Sequence, residues 1–367
     1  MTHTEACIAL NMVPNMGPVR LRKLLEVFET PEAILGARTD RLQAVNGIGK
    51  ELAASLHAWE EHVDLPAELQ RIEDFGAYVI TEASDEYPRH LREIYNPPML
   101  LYVWGKLTDR DQHAIGVVGS RKTSHYGMDS AKKLSFQLAY AGLTVVSGLA
   151  RGIDTAAHQG ALAAQGRTVA VIGSGLMELY PPENQSLAEK ITSSGAVVSE
   201  FPMQFPPSRE TFPYRNRIVA GWGAGTLVVE AGLNSGALIT ANQALEQGRQ
   251  VYAVPGQIDR PTSAGSNRLI QQGAKLVSSA GDILEDLQSL FPERPLPSGD
   301  RPAFVATPAS PEETAILAAI ETESTVDDII GRTGLMAPKV FSTLLSLEMK
   351  RLVKQLPGQR FVKVQQS

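Results

Sequence analysis

The chain has 367 residues, so its length alone predicts two or three domains. Hydrophobic residues make up 43% and charged residues 20%, which is typical of soluble globular proteins. The net charge of −6 argues against a protein that coats duplex DNA by bulk attraction.

The N-terminal residues have no basic segment followed by a long apolar core, so we expect no signal peptide. The sequence contains no run of about 18 apolar residues, so we expect no membrane span. The single cysteine, Cys7, excludes an intramolecular disulfide and a cysteine zinc cluster. We therefore expect a cytoplasmic protein that does not contact a membrane.

Residues 1–66 are predicted to form a small domain of short helices. The strings PNMGPVRLRKLLEVF and VNGIGKELAASL each place a glycine-containing hairpin before an amphipathic helix. Gly17, Gly47 and Gly49 can adopt positive φ and expose backbone N–H groups. This pattern resembles tandem helix-hairpin-helix or SAM-like elements, whose hairpins hold a DNA phosphate. The alternative is a helical bundle in which the glycines only turn the chain.

Residues 67–291 alternate between runs typical of strands and of helices. Val- and Ile-rich runs, apolar on both faces, predict strands buried in a parallel sheet. Helical stretches that end in Gly separate them, which predicts a doubly wound α/β fold whose ligands bind at the carboxyl ends of the strands. The predicted strands are Ala77–Thr81, Ala114–Gly119, Leu143–Ser147, Thr168–Gly173, Ala196–Glu200, Thr226–Glu230, Gln250–Val254 and Lys275–Ser278.

The C-terminal part is predicted to be a tethered winged helix. Residues 292–311 contain six prolines and predict an extended linker. Residues 312–367 predict helices near Glu312–Ile320, Thr325–Arg332 and Ala337–Arg351, followed by a hairpin that turns at Pro357-Gly358.

The loop after the strand Ala114–Gly119 combines the groups that bind phosphate. Gly119, Ser120, Arg121 and Lys122 offer backbone N–H groups, a hydroxyl and cations at a strand end that opens toward a helix. Arg121 would bind a phosphate through charge-assisted hydrogen bonds. The alternative is a surface arginine in a tight turn.

Two further loops follow the next strands. Asp154 can cap the helix that it precedes, and Arg151 is either a second phosphate ligand or an ion-pair partner of Asp154. The third loop begins Gly173-Ser174-Gly175, which is only part of a dinucleotide fingerprint because its third glycine is missing. NAD binding is poorly supported.

The densest cluster of basic and aromatic residues spans residues 209–217. Cations interleaved with rings are typical of single-stranded nucleic-acid sites, where the cations follow phosphates and the rings stack on unpaired bases. The alternative is that the rings fill the core while the arginines form surface ion pairs. The cluster contributes Arg209, Phe212, Tyr214, Arg215, Asn216 and Arg217.

No enzyme motif accompanies these loops. The sequence lacks a Walker loop, a GxSxG elbow and an HExxH motif, and its seven histidines lack metal-ligand spacing. We therefore predict a protein without catalytic residues, metal or cofactor.

The motifs VGSRKTSHYG, SGLARGIDTAAHQGAL, VIGSGLMELYPPEN, FPYRNRIVAG and VVEAGLNSGALITANQALEQGRQVYAVPG, in this order, resemble the DNA-processing protein A (DprA, or Smf) family. The resemblance covers about residues 70–290. It implies an extended Rossmann-like domain, flanked by the helical and winged-helix domains, that binds single-stranded DNA. It also implies a homodimer that protects incoming DNA and loads the recombinase RecA during natural transformation.

Carried over by motif, the DNA-binding residues are Gly119, Ser120, Arg121, Arg209, Phe212, Arg215, Asn216 and Arg217. Lys122, Arg151, Gly173, Ser174 and Gly175 complete the predicted site from the loops. One departure concerns the string YPPENQ, where family members often carry a lysine at the position of Gln185. Either Arg209 compensates for that missing cation or the pocket binds DNA more weakly.

Two alternatives remain at this level. Residues 223–230, GAGTLVVE, resemble the PGGxGTxxE motif of nucleotide phosphoribohydrolases of the lysine-decarboxylase-like family, although the paired glycine is missing and Glu230 falls one residue late. A transcriptional regulator would rest on the winged helix alone. Its predicted recognition helix offers only Lys339 near its start, which is poor for reading a major groove.

Overall fold

The computed structural model of the protein describes residues 1–290, 310–320, 324–337, 339–340, 343–344, 347, 352–356 and 360–363. The chain divides into two compact units, residues 1–292 and 293–367. No helix within the described ranges is long and apolar enough to cross a bilayer.

Seven helices open the first unit. Proline in the first turn starts three of them, because its fixed φ suits a helix start and its missing N–H would have no partner there. The helices are α1 (His3–Met12), α2 (Pro18–Phe28), α3 (Pro31–Leu35), α4 (Thr39–Gln43), α5 (Lys50–His57), α6 (Trp59–His62) and α7 (Leu65–Phe75).

The hairpin glycines differ from expectation in one respect. Only Gly47 adopts positive φ, at +91°. Gly17 and Gly49 are the residues before α2 and α5, and their φ values of −108° and −75° are ordinary for any residue at a helix start. The freedom to adopt positive φ is therefore used at Gly47 alone among the three, and positions 17 and 49 need no glycine for backbone reasons.

A nine-stranded sheet follows in the same unit. Its order is β1-β2-β6-β5-β4-β3-β7-β8-β9; β2 pairs antiparallel with both of its neighbours, β1 and β6, and the neighbouring strands from β6 to β9 pair in parallel. The strands are β1 (Ala77–Thr81), β2 (Leu100–Gly105), β3 (Ala114–Val118), β4 (Thr144–Ser147), β5 (Thr168–Ile172), β6 (Ala196–Ser199), β7 (Gly225–Val228), β8 (Gln250–Ala253) and β9 (Lys275–Leu276).

Eight further helices cover both faces of this sheet. The strands are buried on both sides, so alternate residues enter different cores: Val169 and Val171 of β5 pack with α12 and α13, whereas Ala170 and Ile172 pack with α11 and the N-terminal helices. The helices are α8 (Arg89–Arg92), α9 (His125–Tyr140), α10 (Ile153–Ala163), α11 (Gln185–Thr192), α12 (Thr211–Trp222), α13 (Gly236–Glu246), α14 (Ala264–Gln271) and α15 (Ala280–Leu290). The predicted doubly wound, mostly parallel α/β fold is confirmed.

The second unit has the elements of a winged helix. A three-stranded antiparallel sheet packs with two helices around a small core that includes Ile316, Ile329 and Phe361. Its elements are α16 (Pro311–Ala319), β10 (Ser324–Thr325), α17 (Val326–Thr333), β11 (Val353–Leu356) and β12 (Arg360–Lys363). Most of the predicted linker, much of the third predicted helix and the predicted turn at Pro357-Gly358 lie outside the described residues.

Candidate nucleic-acid interface

A groove lies where the parallel strands β3, β4 and β5 end. The carboxyl ends of parallel strands are the edge at which doubly wound sheets bind their ligands, and the strand order reverses beside this groove, between β3 and β7. The start of α12 lies along the same edge. The residues that line this groove are Arg121, Gly148, Ala150, Arg151, Gly173, Tyr180, Pro181, Phe212 and Arg215.

Four of these side chains form a row in which two aromatic rings lie between two guanidinium groups. The Arg121 guanidinium carbon lies 4.8 Å from the centre of the Phe212 ring. The Phe212 and Tyr180 ring centres are 6.0 Å apart at an interplanar angle of 41°. The Arg151 guanidinium carbon lies 5.6 Å from the centre of the Tyr180 ring. We call Arg121, Phe212, Tyr180 and Arg151 the cation–aromatic row.

Arg121 reaches the groove from a loop that the backbone holds in place. Ser120 accepts a hydrogen bond from the backbone N–H of Lys122 at 3.1 Å, and its own N–H donates to the carbonyl of Glu230 at 2.7 Å. A Cβ on Gly119 would lie 2.8 Å from Cβ of Ile153, so only glycine fits there. Arg121 is exposed, and within the described residues it makes no ion pair.

Arg215 supplies a second cation beneath the groove. Only 4% of it is exposed, its Nη1 donates to the carbonyl of Val171, and a Cβ on Gly148 would overlap its guanidinium group. Burial lowers the pKa of Arg215 to about 10, so the group stays protonated at neutral pH. The charge of buried Asp154 opposes that shift.

Asp154 does not cap the helix that it begins, contrary to the prediction. Gly152, at φ +79°, is the residue before α10, and Asp154 lies inside the first turn. Its carboxylate accepts hydrogen bonds from the backbone N–H groups of Gly148 at 3.1 Å and Ala150 at 3.3 Å. Burial raises the pKa of Asp154, and Arg215 opposes this rise. Asp154 therefore fixes the loop after β4 and balances Arg215.

Arg151 forms its ion pair with Glu183 and not with Asp154. Its Nε and Nη2 both donate to the Glu183 carboxylate, the latter at 3.1 Å, and its Nη1 donates to the Tyr180 hydroxyl at 3.3 Å. These contacts close one end of the cation–aromatic row. Of the two alternatives for Arg151, the pairing with Asp154 is wrong.

Of the predicted Gly173-Ser174-Gly175 segment, only Gly173 lines the groove. A Cβ on Gly173 would lie 3.0 Å from Cδ1 of Phe212, so glycine lets the ring approach the backbone closely. Ser174 and Gly175 are buried and do not line the groove. The Ser174 carbonyl accepts a hydrogen bond from Ser199 at 2.6 Å, and the Gly175 N–H donates to Phe205 at 2.8 Å.

The basic and aromatic cluster divides between groove and interior. Phe212 lies half-buried in the first turn of α12 and reaches the groove, as Arg215 does. Arg217 is buried and pairs with Glu200 at 2.6 Å. Arg209 is exposed and Asn216 is partly buried, and neither lines the groove. Their contact with DNA stays a prediction.

Sequence reasoning did not assign Tyr180, Pro181, Gly148 and Ala150 to the site, although all four line the groove. The Tyr-Pro pair in the loop that follows β5 was the available signal, because loops at the carboxyl ends of the strands form the ligand site of such a sheet. Gln185, where the family resemblance implies a lysine, donates to Glu189 at 3.2 Å and is exposed.

Glu230 is bound internally at the switch point. Its carboxylate accepts hydrogen bonds from Thr123 Oγ1, from the Ser124 N–H at 2.8 Å and from Ser124 Oγ at 3.1 Å, directly before α9. Burial acts to raise the pKa of the Glu230 carboxyl, but the hydrogen bonds from Thr123, Thr262 and Ser124 together outweigh it, so the pKa is lowered. In a dinucleotide-binding protein a ligand phosphate occupies such a helix start. Here an ionised glutamate occupies it, which does not favour Glu230 as the acid of a phosphoribohydrolase.

Comparisons with known proteins agree with this fold and these motifs. The family model described as DNA recombination-mediator protein A matches residues 78–288. A DprA winged helix domain matches residues 300–359, and a SAM-like helix-hairpin-helix tandem matches residues 8–58.

Three curated relatives cover between 56% and 96% of the chain. Protein Smf of Synechocystis is 35% identical over 96% of this chain and 97% of its own length. Protein Smf of Escherichia coli is 41% identical over 78% of both chains. The DNA processing protein DprA of Streptococcus pneumoniae is 46% identical over 56% of this chain and 72% of its own.

Solved structures share the fold. The structure of DNA processing protein A from Streptococcus pneumoniae covers 78% of this chain and 98% of its own, with 36% identity and a TM-score of 0.69. DNA processing protein A from Helicobacter pylori covers 59% of this chain and 98% of its own, with 24% identity and a TM-score of 0.53. The chain therefore belongs to the DNA recombination-mediator protein A family, whose members are named DprA or Smf.

Proposed function

We propose that the protein binds single-stranded DNA in the groove, with a phosphate on Arg121 and an unpaired base on Phe212. The observation that carries this proposal is the cation–aromatic row: two rings in near contact, with a guanidinium group over each. Rings offer a stacking surface that any base can use, and guanidinium groups bind the phosphates that link those bases.

Selectivity for single strands follows from the rings. Duplex DNA keeps its bases paired and stacked, so it cannot place a base face on Phe212. Charge alone would attract both forms of DNA, but the chain carries −6 overall and its middle segment, residues 113–290, holds 14 Lys and Arg against 13 Asp and Glu. Electrostatic attraction of DNA is therefore expected only at the cations of the groove and not over the whole surface.

We expect Arg121 to make the strongest phosphate contact, and the charges of the groove support this expectation. Arg215 is buried with Asp154, and Arg151 is paired with Glu183. In the described part of the chain, Arg121 makes no ion pair, so it meets a phosphate without first giving up a partner.

The family supports a role for this binding. The solved Helicobacter pylori relative is described as having a unique single-stranded DNA binding mode, although at 24% identity its likeness to this chain extends to the fold alone. We propose that this chain, as a cytoplasmic homodimer and without catalysing a reaction, protects single strands during transformation and loads RecA onto them. RecA loading is tested by the onset of RecA ATP hydrolysis on strands coated with single-strand binding protein, which the protein should accelerate.

Strand binding is tested by titrating the full chain with oligo-dT and with a duplex of equal length over a series of salt concentrations. We expect oligo-dT to bind more tightly, and Arg121→Ala to weaken binding and flatten the salt dependence by about 0.7 in log–log slope. Arg110→Ala is the matched control, because Arg110 is an exposed arginine that precedes β3 and so lies at the amino ends of the strands, away from the groove at their carboxyl ends. An Arg121→Ala slope equal to that of wild type and of Arg110→Ala would remove the phosphate contact from the proposal.

A further inference from the structure

One cation of the row is covered by a carboxylate of the same chain. Glu183 accepts two hydrogen bonds from the guanidinium edge of Arg151, and each side chain of the pair is 51% exposed. Parallel, charge-assisted bonds of this kind are also how an arginine binds a phosphate. The Glu183 carboxylate therefore occupies the position on Arg151 that a phosphate would take.

Both partners stand on loops that are tied together. Asn184 donates from its Nδ2 to the carbonyl of Leu149 at 2.8 Å and to Oγ1 of Thr155 at 2.9 Å. Leu149 is buried with φ +56°, a left-handed conformation that a non-glycine residue adopts only where its surroundings hold it. The end of the groove is thus a fixed frame, and Arg151 and Glu183 meet across it.

The pair can open without disturbing that frame. An exposed ion pair contributes little to folding, since water and salt ions replace either partner readily. Hydrogen bonds from Arg151 lower the pKa of the Glu183 carboxyl, so the group is ionised and competes with any anion at neutral pH. Asn184, which holds the loop, makes its bonds independently of the ion pair.

We propose that Arg151 is a second phosphate subsite of the groove and that Glu183 covers it in the free protein. The inference rests on the proposed function, since the phosphate is that of the strand bound at Arg121 and Phe212. Arg151 lies beside Tyr180 at the far end of the cation–aromatic row, so it faces a neighbouring nucleotide of the same strand. Glu183 lowers the affinity for the strand by occupying this cation.

The test is Glu183→Gln in the full chain, titrated with oligo-dT over a salt series. Glutamine keeps the shape of the side chain and removes its charge. We expect binding at low salt to tighten by up to about fivefold and the log–log salt slope to steepen by about 0.7. Glu178→Gln is the control, because Glu178 is an exposed acid of the same loop and does not line the groove; it should leave the slope unchanged.

Arg151→Ala, made in the wild-type protein and in the Glu183→Gln variant, distinguishes a phosphate subsite at Arg151 from a general effect of removing one negative charge. We expect the alanine substitution to weaken binding more in the Glu183→Gln protein than in wild type, and to cancel the gain. A slope for Glu183→Gln that equals the wild-type slope overturns the proposal, as does a gain that survives in the double variant. If Arg121→Ala and Phe212→Ala also leave binding unchanged, the proposed function fails as well; if they weaken it, only the covered subsite fails.

Discussion

Phe212→Ala removes the ring that we expect to hold a base. The Arg121 guanidinium carbon lies 4.8 Å from the centre of the Phe212 ring, and the tilted Tyr180 ring lies beside it with its centre 6.0 Å away. We expect one base to stack on Phe212. Base–aromatic stacking contributes about 1–3 kcal/mol per base, which corresponds to a loss of about 5- to 150-fold in affinity for oligo-dT. The salt slope should stay near the wild-type value, because the substitution removes no charge.

The assay is oligo-dT titration by fluorescence anisotropy at several salt concentrations, together with a thermal melt of each variant. Tyr214→Ala is the matched control, because Tyr214 is an exposed aromatic residue of the same helix and does not line the groove. Phe212→Trp should retain binding, since a larger ring also stacks.

The same substitution separates stacking from a purely structural role. A fully buried phenylalanine costs about 3–5 kcal/mol when replaced by alanine, and Phe212 should cost less because its ring is only half-buried. A Phe212→Ala protein that melts early but binds oligo-dT normally while folded would refute the stacking role.

Three further outcomes follow from the site. Gln185→Lys should add the cation that the family resemblance implies at this position, tighten oligo-dT binding and steepen the salt slope by about 0.7; unchanged titrations would show that this position does not face the strand. Arg215→Met should leave Asp154 as a buried, uncompensated carboxylate and destabilise the fold by about 3–5 kcal/mol at neutral pH. Burial raises the pKa of Asp154 in the folded state and Arg215 opposes that rise, so the pKa of Asp154 should be higher still in the variant. The loss of stability should therefore shrink as the pH falls through that pKa, because protonated Asp154 carries no charge. A difference in melting temperature between variant and wild type that does not depend on pH would contradict this. A chain that ends at Phe291 should keep its oligo-dT affinity within about tenfold, since the groove lies within the first unit; a larger loss would place the winged helix in the site.

The strands could be predicted because burial on both faces leaves a clear signal. All eight predicted strands occur, with ends within two residues of those expected. The strand of the nine-stranded sheet that sequence reasoning missed, β2, lies between β1 and β6 and is antiparallel to both. Its run LLYVWG follows two prolines and lies outside the regular alternation of strand and helix, so nothing in the local pattern distinguished it from an apolar loop.

The site could be predicted only to the level of its loops. Arg121, Phe212 and Arg151 emerge at the groove because strand ends and helix starts determine where a loop lies. The partner of each arginine depends on contacts between residues distant in the chain, such as Arg217 with Glu200 and Arg151 with Glu183. A local cluster of arginines therefore does not reveal which members are paired inside the protein.

The contact between the two rings of the cation–aromatic row could not be predicted from the sequence. Tyr180 and Phe212 are 32 positions apart, yet their ring centres lie 6.0 Å from each other because β5 ends beside the start of α12. The glycine at 173 permits this approach, since a Cβ there would press on Phe212. Such a pairing follows from the topology of the sheet and from one small residue.

The central claim is that an unpaired base stacks on the cation–aromatic row. The most direct test is photocrosslinking of the full chain to oligo-dT that carries 5-iodouracil, followed by peptide mapping, because this base forms adducts with the aromatic rings on which it stacks. We predict adducts on Phe212 or Tyr180, suppressed by unlabelled oligo-dT and not by an equal amount of duplex. Adducts found only on Tyr214 or in the winged-helix unit would contradict the account.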